Sequence, residues 1–138
     1  MKKILLPPFD LNSATAMVQR LEDVWNTINS SEIVLYFSED TQWRNRDHFF
    51  KSRNAITQFL KKKWKEELNS YLTKELWSYH DNRIVIKSNS EWMCAKTGQW
   101  FRTSGNEHLE FDGNGLIVRR EMNANDSLIL ERQRIFRK

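Results

Sequence analysis

One carboxylate, Glu107, falls where a strand would otherwise be apolar. In Gln99–Phe111 one alternating set is Phe101, Thr103, Gly105, Glu107, Leu109 and Phe111, and successive strand side chains point to opposite faces. A carboxylate on the covered face is costly unless it is paired, hydrated or protonated. Two readings stay open. Glu107 is the polar centre of a pocket, acting as general acid or base, or it is a structural ion pair with Arg120, which also faces inward on the neighbouring strand. The stretch Arg83–Trp92 has a similar face. Ile84, Ile86, Ser88, Ser90 and Trp92 begin apolar and turn small and polar, as suits a wall looking onto a cavity rather than a filled core.

The remaining residue types able to do chemistry are sparse. The chain has six tryptophans. Trp25 belongs to a helical core stripe, whereas Trp43, Trp64 and Trp92 either converge as flat walls for a planar or apolar ligand or simply fill a small core. Trp77 and Trp100 fall on the opposite side of the sheet with Tyr79 and Arg102, where exposed aromatics favour a sheet-to-sheet dimer. The three histidines, His48, His80 and His108, are far apart, so no zinc site is expected. The lone Cys94 excludes an intrachain disulfide framework and is expected to be an inert, half-buried thiol. No glycine loop shaped for phosphate and no Ser-His-Asp order is present. No cofactor or metal is expected. The run Lys61-Lys62-Lys63-Trp64-Lys65 is read as the solvated side of a helix, not a nucleic-acid surface.

Elements to position these groups follow from periodicity. Ala14, Met17, Val18, Leu21, Val24, Trp25 and Ile28 recur at helical spacing and predict a helix over Asn12–Ile28, capped by Asn12 or Ser13. A short helix is predicted over Ser31–Phe37 and a strand over Thr41–Asn45. Arg46-Asp47-His48 is a polar stretch with Phe49-Phe50 as an apolar anchor. A third helix spans Arg53–Leu68, with Ile56, Phe59, Leu60 and Trp64 on one face. Four strands follow, Tyr71–Tyr79, Arg83–Trp92, Gln99–Phe111 and Leu116–Asn125. Asp112-Gly113-Asn114-Gly115 is the strongest hairpin signal. Helices first and strands after argue α+β: an antiparallel meander joined to one earlier strand and covered by three helices.

Composition sets the frame. The 138 residues, 39% hydrophobic and 29% charged, suit a single domain over 1–138 with its own core. Residues 1–10 read as an N-terminal arm and 131–138 as an exposed or partly ordered polar tail. No apolar run approaches the roughly 18 residues of a membrane span. The start, Met1-Lys2-Lys3-Ile4-Leu5-Leu6-Pro7-Pro8, hints at a secretory signal, but its apolar stretch stops after three residues with no small-residue cleavage site behind it. A cytoplasmic protein is expected. The net charge of +4 is spread along the chain and establishes no nucleic-acid binding.

Taken in order, several strings resemble the nuclear transport factor 2-like superfamily, also called SnoaL-like. They are Val18-Gln19-Arg20-Leu21 with Asp23-Val24-Trp25, Phe37-Ser38-Glu39-Asp40-Thr41-Gln42-Trp43, Arg53-Asn54-Ala55-Ile56, and Glu107 through Gly115. Trp43-Arg44-Asn45-Arg46-Asp47, Lys63-Trp64 and Gly105-Asn106-Glu107 are similar to a bacterial and fungal subfamily, a domain of unknown function. The resemblance covers about Leu11 to Asp126. It implies a cone-shaped α+β barrel, with three N-terminal helices on a strongly curved, mainly antiparallel sheet, and a frequent homodimer through the outer sheet face. It also implies where ketosteroid isomerases of this superfamily keep their groups. The base position falls on Asn45, the acid position on Glu107 and the tyrosine position on Leu21. An amide cannot abstract a proton and leucine cannot donate to an oxyanion, so isomerisation by that route is not expected.

The expected function is binding of a small, partly apolar molecule between helices and sheet, with room for acid–base chemistry of an isomerase, cyclase or hydrolase kind. Glu107 is the expected catalytic group. Trp43, Asn45, Phe59, Trp64, Trp92, Arg120 and Met122 are the expected ligand-binding residues. The alternative is a non-catalytic dimeric interaction module.

Overall fold

The structure is a computed structural model and describes residues 3–136. Helix α1 spans Leu11–Trp25 and buries Ala14, Met17, Val18, Leu21, Val24 and Trp25 along one stripe. Its cap is Asp10, not Asn12 or Ser13: the Asp10 carboxylate accepts from the Ser13 N–H, and the Ser13 hydroxyl accepts from the Asp10 N–H. The helix stops three residues short of Ile28, which takes a left-handed φ of 57°. Asn26 turns its amide onto the strand that begins at Glu67, where it exchanges two hydrogen bonds with the Leu72 backbone. The predicted second helix divides into α2 (Ser30–Ile33), a 3-10 turn (Val34–Tyr36), and Phe37, which already belongs to β1.

Strand β1 covers Phe37–Asn45, and β2, His48–Lys51, returns beside it as a hairpin. The stretch read as a polar segment with a Phe49-Phe50 anchor is therefore a turn, with Arg46 at positive φ, and an edge strand. Helix α3 spans Arg53–Glu66 and runs straight into β3, Glu67–His80. β4 (Arg83–Cys94), β5 (Trp100–Phe111) and β6 (Ile117–Ile129) complete the antiparallel meander; β3, β4 and β6 exceed their predicted lengths, and β5 starts one residue later than predicted. Asp112 closes the last turn by accepting from the N–H groups of Asn114 and Leu116. Gly115 is required there: its φ is 80°, and a Cβ would collide with the Leu5 carbonyl.

The six strands lie in the order β2-β1-β6-β5-β4-β3. β1 and β6 pair in parallel, with Trp43 opposite Arg120 and Asn45 opposite Met122. Three helices thus pack on a curved, mostly antiparallel sheet, the predicted α+β architecture. α1 also shields the edge strand β3, since Glu22 accepts from the Lys74 N–H and Asn26 binds Leu72. No helix among the described residues is long and apolar enough to cross a membrane.

Both ends are tied down. In the arm, Leu5 and Phe9 are buried, and Phe9 meets Phe111 edge-on at 4.9 Å. After β6 the chain folds back over the outer sheet face. The buried Glu91 carboxylate accepts from the N–H groups of Ile135 and Phe136 and from the Arg102 guanidinium. The Arg134 guanidinium lies 3.6 Å from the Trp100 ring centroid, and Phe136 meets Tyr71. Glu91 titrates below the ordinary carboxylate range. Burial pushes it up, but the two backbone donors and Arg102 outweigh that.

Candidate functional site

Alternation along β5 carries Glu107 to the inner face, flanked by Ile86 of β4 and Met122 of β6. Its carboxylate does not stand free. Oε2 accepts from Arg120 Nε at 2.7 Å, as the ion-pair reading anticipated, and Oε1 accepts from Lys74 Nζ. Lys74 sits between Leu72 and Leu76 on β3 and pairs in register with Ser88, whose small side chain leaves room for the lysine to reach inward. All three charged side chains are essentially sealed, at 2–5% exposure.

Two cations on one carboxylate settle its protonation. Burial pushes the Glu107 carboxyl up, but the charges and hydrogen bonds of Lys74 and Arg120 prevail and lower its pKa from 4.5 to about 2. At neutral pH Glu107 is therefore an anion, with no proton to give as a general acid and little basicity as a base. Lys74 is displaced the other way for an amine. Burial holds its pKa below 10.5, and the Arg120 charge adds to this against the opposing pull of Glu107 and Glu22.

Aromatic rings shape the surroundings of this cluster. The Arg120 guanidinium carbon lies 4.3 Å from the Trp43 ring centroid and 5.2 Å from that of Trp25, and Lys74 Nζ lies 5.0 Å from Trp25. Trp43 stacks on Trp25 at 6.0 Å, and Trp64 meets Trp25 edge-on at 6.4 Å. Asn45 Oδ1 accepts from Arg120 Nη1 at 3.3 Å, a contact set up by the parallel β1–β6 pairing.

A cavity of about 800 Å³ opens beside the cluster, between the sheet and α3 with β2. Of the residues expected to bind a ligand, Asn45, Phe59, Trp92, Arg120 and Met122 line it. Trp43, Trp64 and Glu107 do not. Trp43 is 2% exposed and packed among Trp25, Phe37 and Phe59, so it belongs to the core beneath the site. Trp64 is held against Trp25, and Glu107 lies behind the cations that bind it. Lys74 and Trp25 line the cavity, although neither was expected there. The signal for Lys74 was present, a lysine between two leucines at period two. Trp25 was correctly placed in the core stripe, but its ring also reaches the cavity.

Small polar residues fill part of the wall. Ser88 and Ser90 face the cavity, matching the small-residue face read from β4. Gly105 does not belong to that wall: a Cβ there would sit 2.6 Å from both the Asn123 carbonyl oxygen and Met122 Cε, so its smallness serves strand packing. At the mouth, Trp92 Nε1 donates to Thr103 Oγ1 at 2.8 Å, Thr103 donates to Asp126 at 2.6 Å, and Arg46 binds Asp126 at 2.7 Å.

Elsewhere, Lys61, Lys62 and Lys65 are exposed, while Lys63 binds Glu67 at 2.8 Å. Among the described residues no group of three or more His, Cys, Asp or Glu side chains is placed to hold a metal ion. On the outer face Trp100 is buried beneath Arg134 instead of exposed, whereas Trp77 is 62% exposed. Chemically, the inner site offers positive hydrogen-bond donors, Lys74 and Arg120, above a carboxylate that is already satisfied. Such an arrangement stabilises negative charge on an oxygen placed in the cavity.

Comparison with solved structures agrees on the architecture. An epoxide hydrolase/cyclase-like enzyme, SalBIII, which acts in pyran ring formation in the polyether salinomycin, superposes with a TM-score of 0.74 at 11% identity, covering 84% of this chain and 93% of its own. A nuclear transport factor 2-like protein of unknown function from Burkholderia pseudomallei gives 0.70 at 13% identity, over 81% and 91%. A hypothetical protein from Catenulispora acidiphila with a ketosteroid isomerase-like fold, in complex with trimethylamine, gives 0.69 at 13% identity, over 78% and 83%. At these identities the likeness shows the fold alone. No curated protein matches the chain. A family model does match, over residues 7–137, and the chain belongs to that family, described as a protein of unknown function (DUF1348), with a nuclear transport factor 2-like fold.

Proposed function

We propose that this chain binds a small, partly apolar molecule in the cavity between α3 and the sheet, with the molecule's polar end over Lys74 and Arg120. The observation that carries this reading is the pairing of an aromatic-walled cavity of about 800 Å³ with two buried cations at its inner end. A volume of that size suits a drug-sized ligand. In any acid–base reaction there, Lys74 and Arg120 act as the electrophilic pair that polarises a carbonyl or epoxide oxygen, in place of Glu107 as proton donor. That an epoxide hydrolase/cyclase-like enzyme and a protein in complex with trimethylamine share the fold supports a cavity put to use.

The test is calorimetric titration with a neutral bicyclic probe, 2-naphthylmethanol, against the wild type and Phe59→Trp. The larger indole is expected to occupy cavity space and weaken binding at least about tenfold. Equal affinity in both proteins would place the probe elsewhere and remove the cavity as the binding site.

A second reading, a dimer through the outer sheet face, is favoured by the exposure of Trp77 on a strand face otherwise ready for packing. It is compatible with the first, because the cavity opens on the opposite side of the sheet.

A further inference from the structure

We infer that the ligand of this cavity is a monoanion, a carboxylate carried on an apolar or aromatic body, seated with its charged end against Lys74 and Arg120. This rests on the cavity being the binding site and adds the chemical class that the site selects.

The charges of the inner cluster do not cancel. Glu107 gives one oxygen to Arg120 and the other to Lys74, and an arginine stays charged at any ordinary pH. With Lys74 protonated, the sealed cluster holds one positive charge more than Glu107 offsets. Around the mouth, by contrast, Arg46, Lys62 and Lys63 are matched in number by Asp126, Glu66 and Glu67. Glu22 on α1 also pulls on the Lys74 charge, but it makes no ion pair with the ammonium and does not line the cavity. On the cavity side, then, two buried cations share a single paired carboxylate. An arriving anion supplies the missing countercharge, and a cation would deepen the imbalance.

Donor geometry agrees with the charge. Glu107 occupies Arg120 Nε and Asn45 takes one proton of Nη1, so the second Nη1 proton, Nη2 and the remaining ammonium protons of Lys74 are the donors left for a ligand. A guanidinium and an ammonium that already share the two oxygens of Glu107 suit the two oxygens of a second carboxylate. Trp25, Phe59 and Trp92 line the rest of the volume and suit an apolar body. A dianionic phosphate would over-neutralise the cluster, which sets the class as a monoanion.

The experiment uses the full chain and three probes sharing one ring system: 2-naphthoate, 2-naphthylmethanol and 2-naphthyl phosphate, titrated calorimetrically at pH 7. The carboxylate is expected to bind at least about tenfold tighter than the alcohol, with the phosphate no tighter than the carboxylate. Lys74→Met keeps the Glu107–Arg120 pair and removes the excess charge. It is expected to weaken the carboxylate at least about tenfold more than it weakens the alcohol, so that the preference between the two collapses. An alcohol that equals the carboxylate, a phosphate that exceeds it, or a preference unmoved in Lys74→Met overturns the inference while leaving the cavity reading standing. Failure of all three probes to bind overturns the cavity reading and the inference together. Should Lys74→Met not fold, the wild-type ranking of the three probes decides alone.

Discussion

At the scale of the residue, Glu107 shows how a charge on an apolar strand face is made tolerable, by two cations that hold its proton off. Because its pKa in the folded state, about 2, lies below the ordinary 4.5, its stabilising contribution is fully present above pH 4.5. That contribution is lost as pH falls from there toward 2. Glu107→Gln leaves Lys74 and Arg120 without a countercharge and is expected to cost about 3–5 kcal/mol near pH 7. Urea denaturation across a pH series checks this. The gap between wild type and variant should narrow between pH 4.5 and 2, and a gap independent of pH would show that Glu107 is not ionised. The position of Glu107 and its bond to Arg120 were legible in the alternation of β5 and β6. The second partner was not legible, because that cation comes from β3, two strands away, and only the pairing register shows that Lys74 reaches it. Trp43 and Trp64 illustrate the same limit. Residue type marks both as wall material, but which way a ring turns depends on the neighbours that crowd it.

Elements were easier to read than their joints. The stripe of α1, the face of α3 and the alternation of β4 and β5 are strong periodic signals, and each corresponds to an observed element. The misreadings concern places where a distant partner decides. Asn26 ends α1 by bonding β3, and His48–Lys51 is a strand because β1 is there to pair with it. The parallel β1–β6 pairing, invisible locally, is what brings Asn45 beside Arg120. Gly105 marks a close approach of β5 to β6 near the site. Gly105→Ala would push its methyl into the Asn123 carbonyl and the Met122 methyl, both at 2.6 Å, and is expected to destabilise by about 1–3 kcal/mol. Thermal or urea unfolding measures it. A change below about 0.5 kcal/mol would mean that β6 yields freely at that point.

For the whole molecule, the C-terminal segment divides the outer sheet face. One part, around Trp100, Glu91 and Tyr71, is covered by residues 134–136. The other, around Trp77 and Lys87, remains open. If the chain dimerises through its sheet, the contact is confined to the open part. Sedimentation equilibrium is then expected to show a dimer for the wild type and a monomer for Trp77→Arg. A wild type that stays monomeric at about 100 μM would remove the dimer reading, and a dimeric Trp77→Arg would move the contact elsewhere. The tail's composition indicated neither outcome, because its anchoring depends on two backbone N–H groups that meet Glu91, a carboxylate more than forty positions earlier.

The parallel pairing of β1 with β6 has a consequence for biosynthesis. A ribosome delivers β1 early, yet β1 has only the four-residue β2 at one side until β6, the last strand, has been made. The β1–β2 hairpin and the finished β3–β5 meander therefore leave the tunnel as two parts of one sheet with no strand between them. Closure of the sheet waits for β6, and with it the meeting of Arg120 and Glu107, so the wall carrying Arg120 and Met122 is the last part of the cavity to be set.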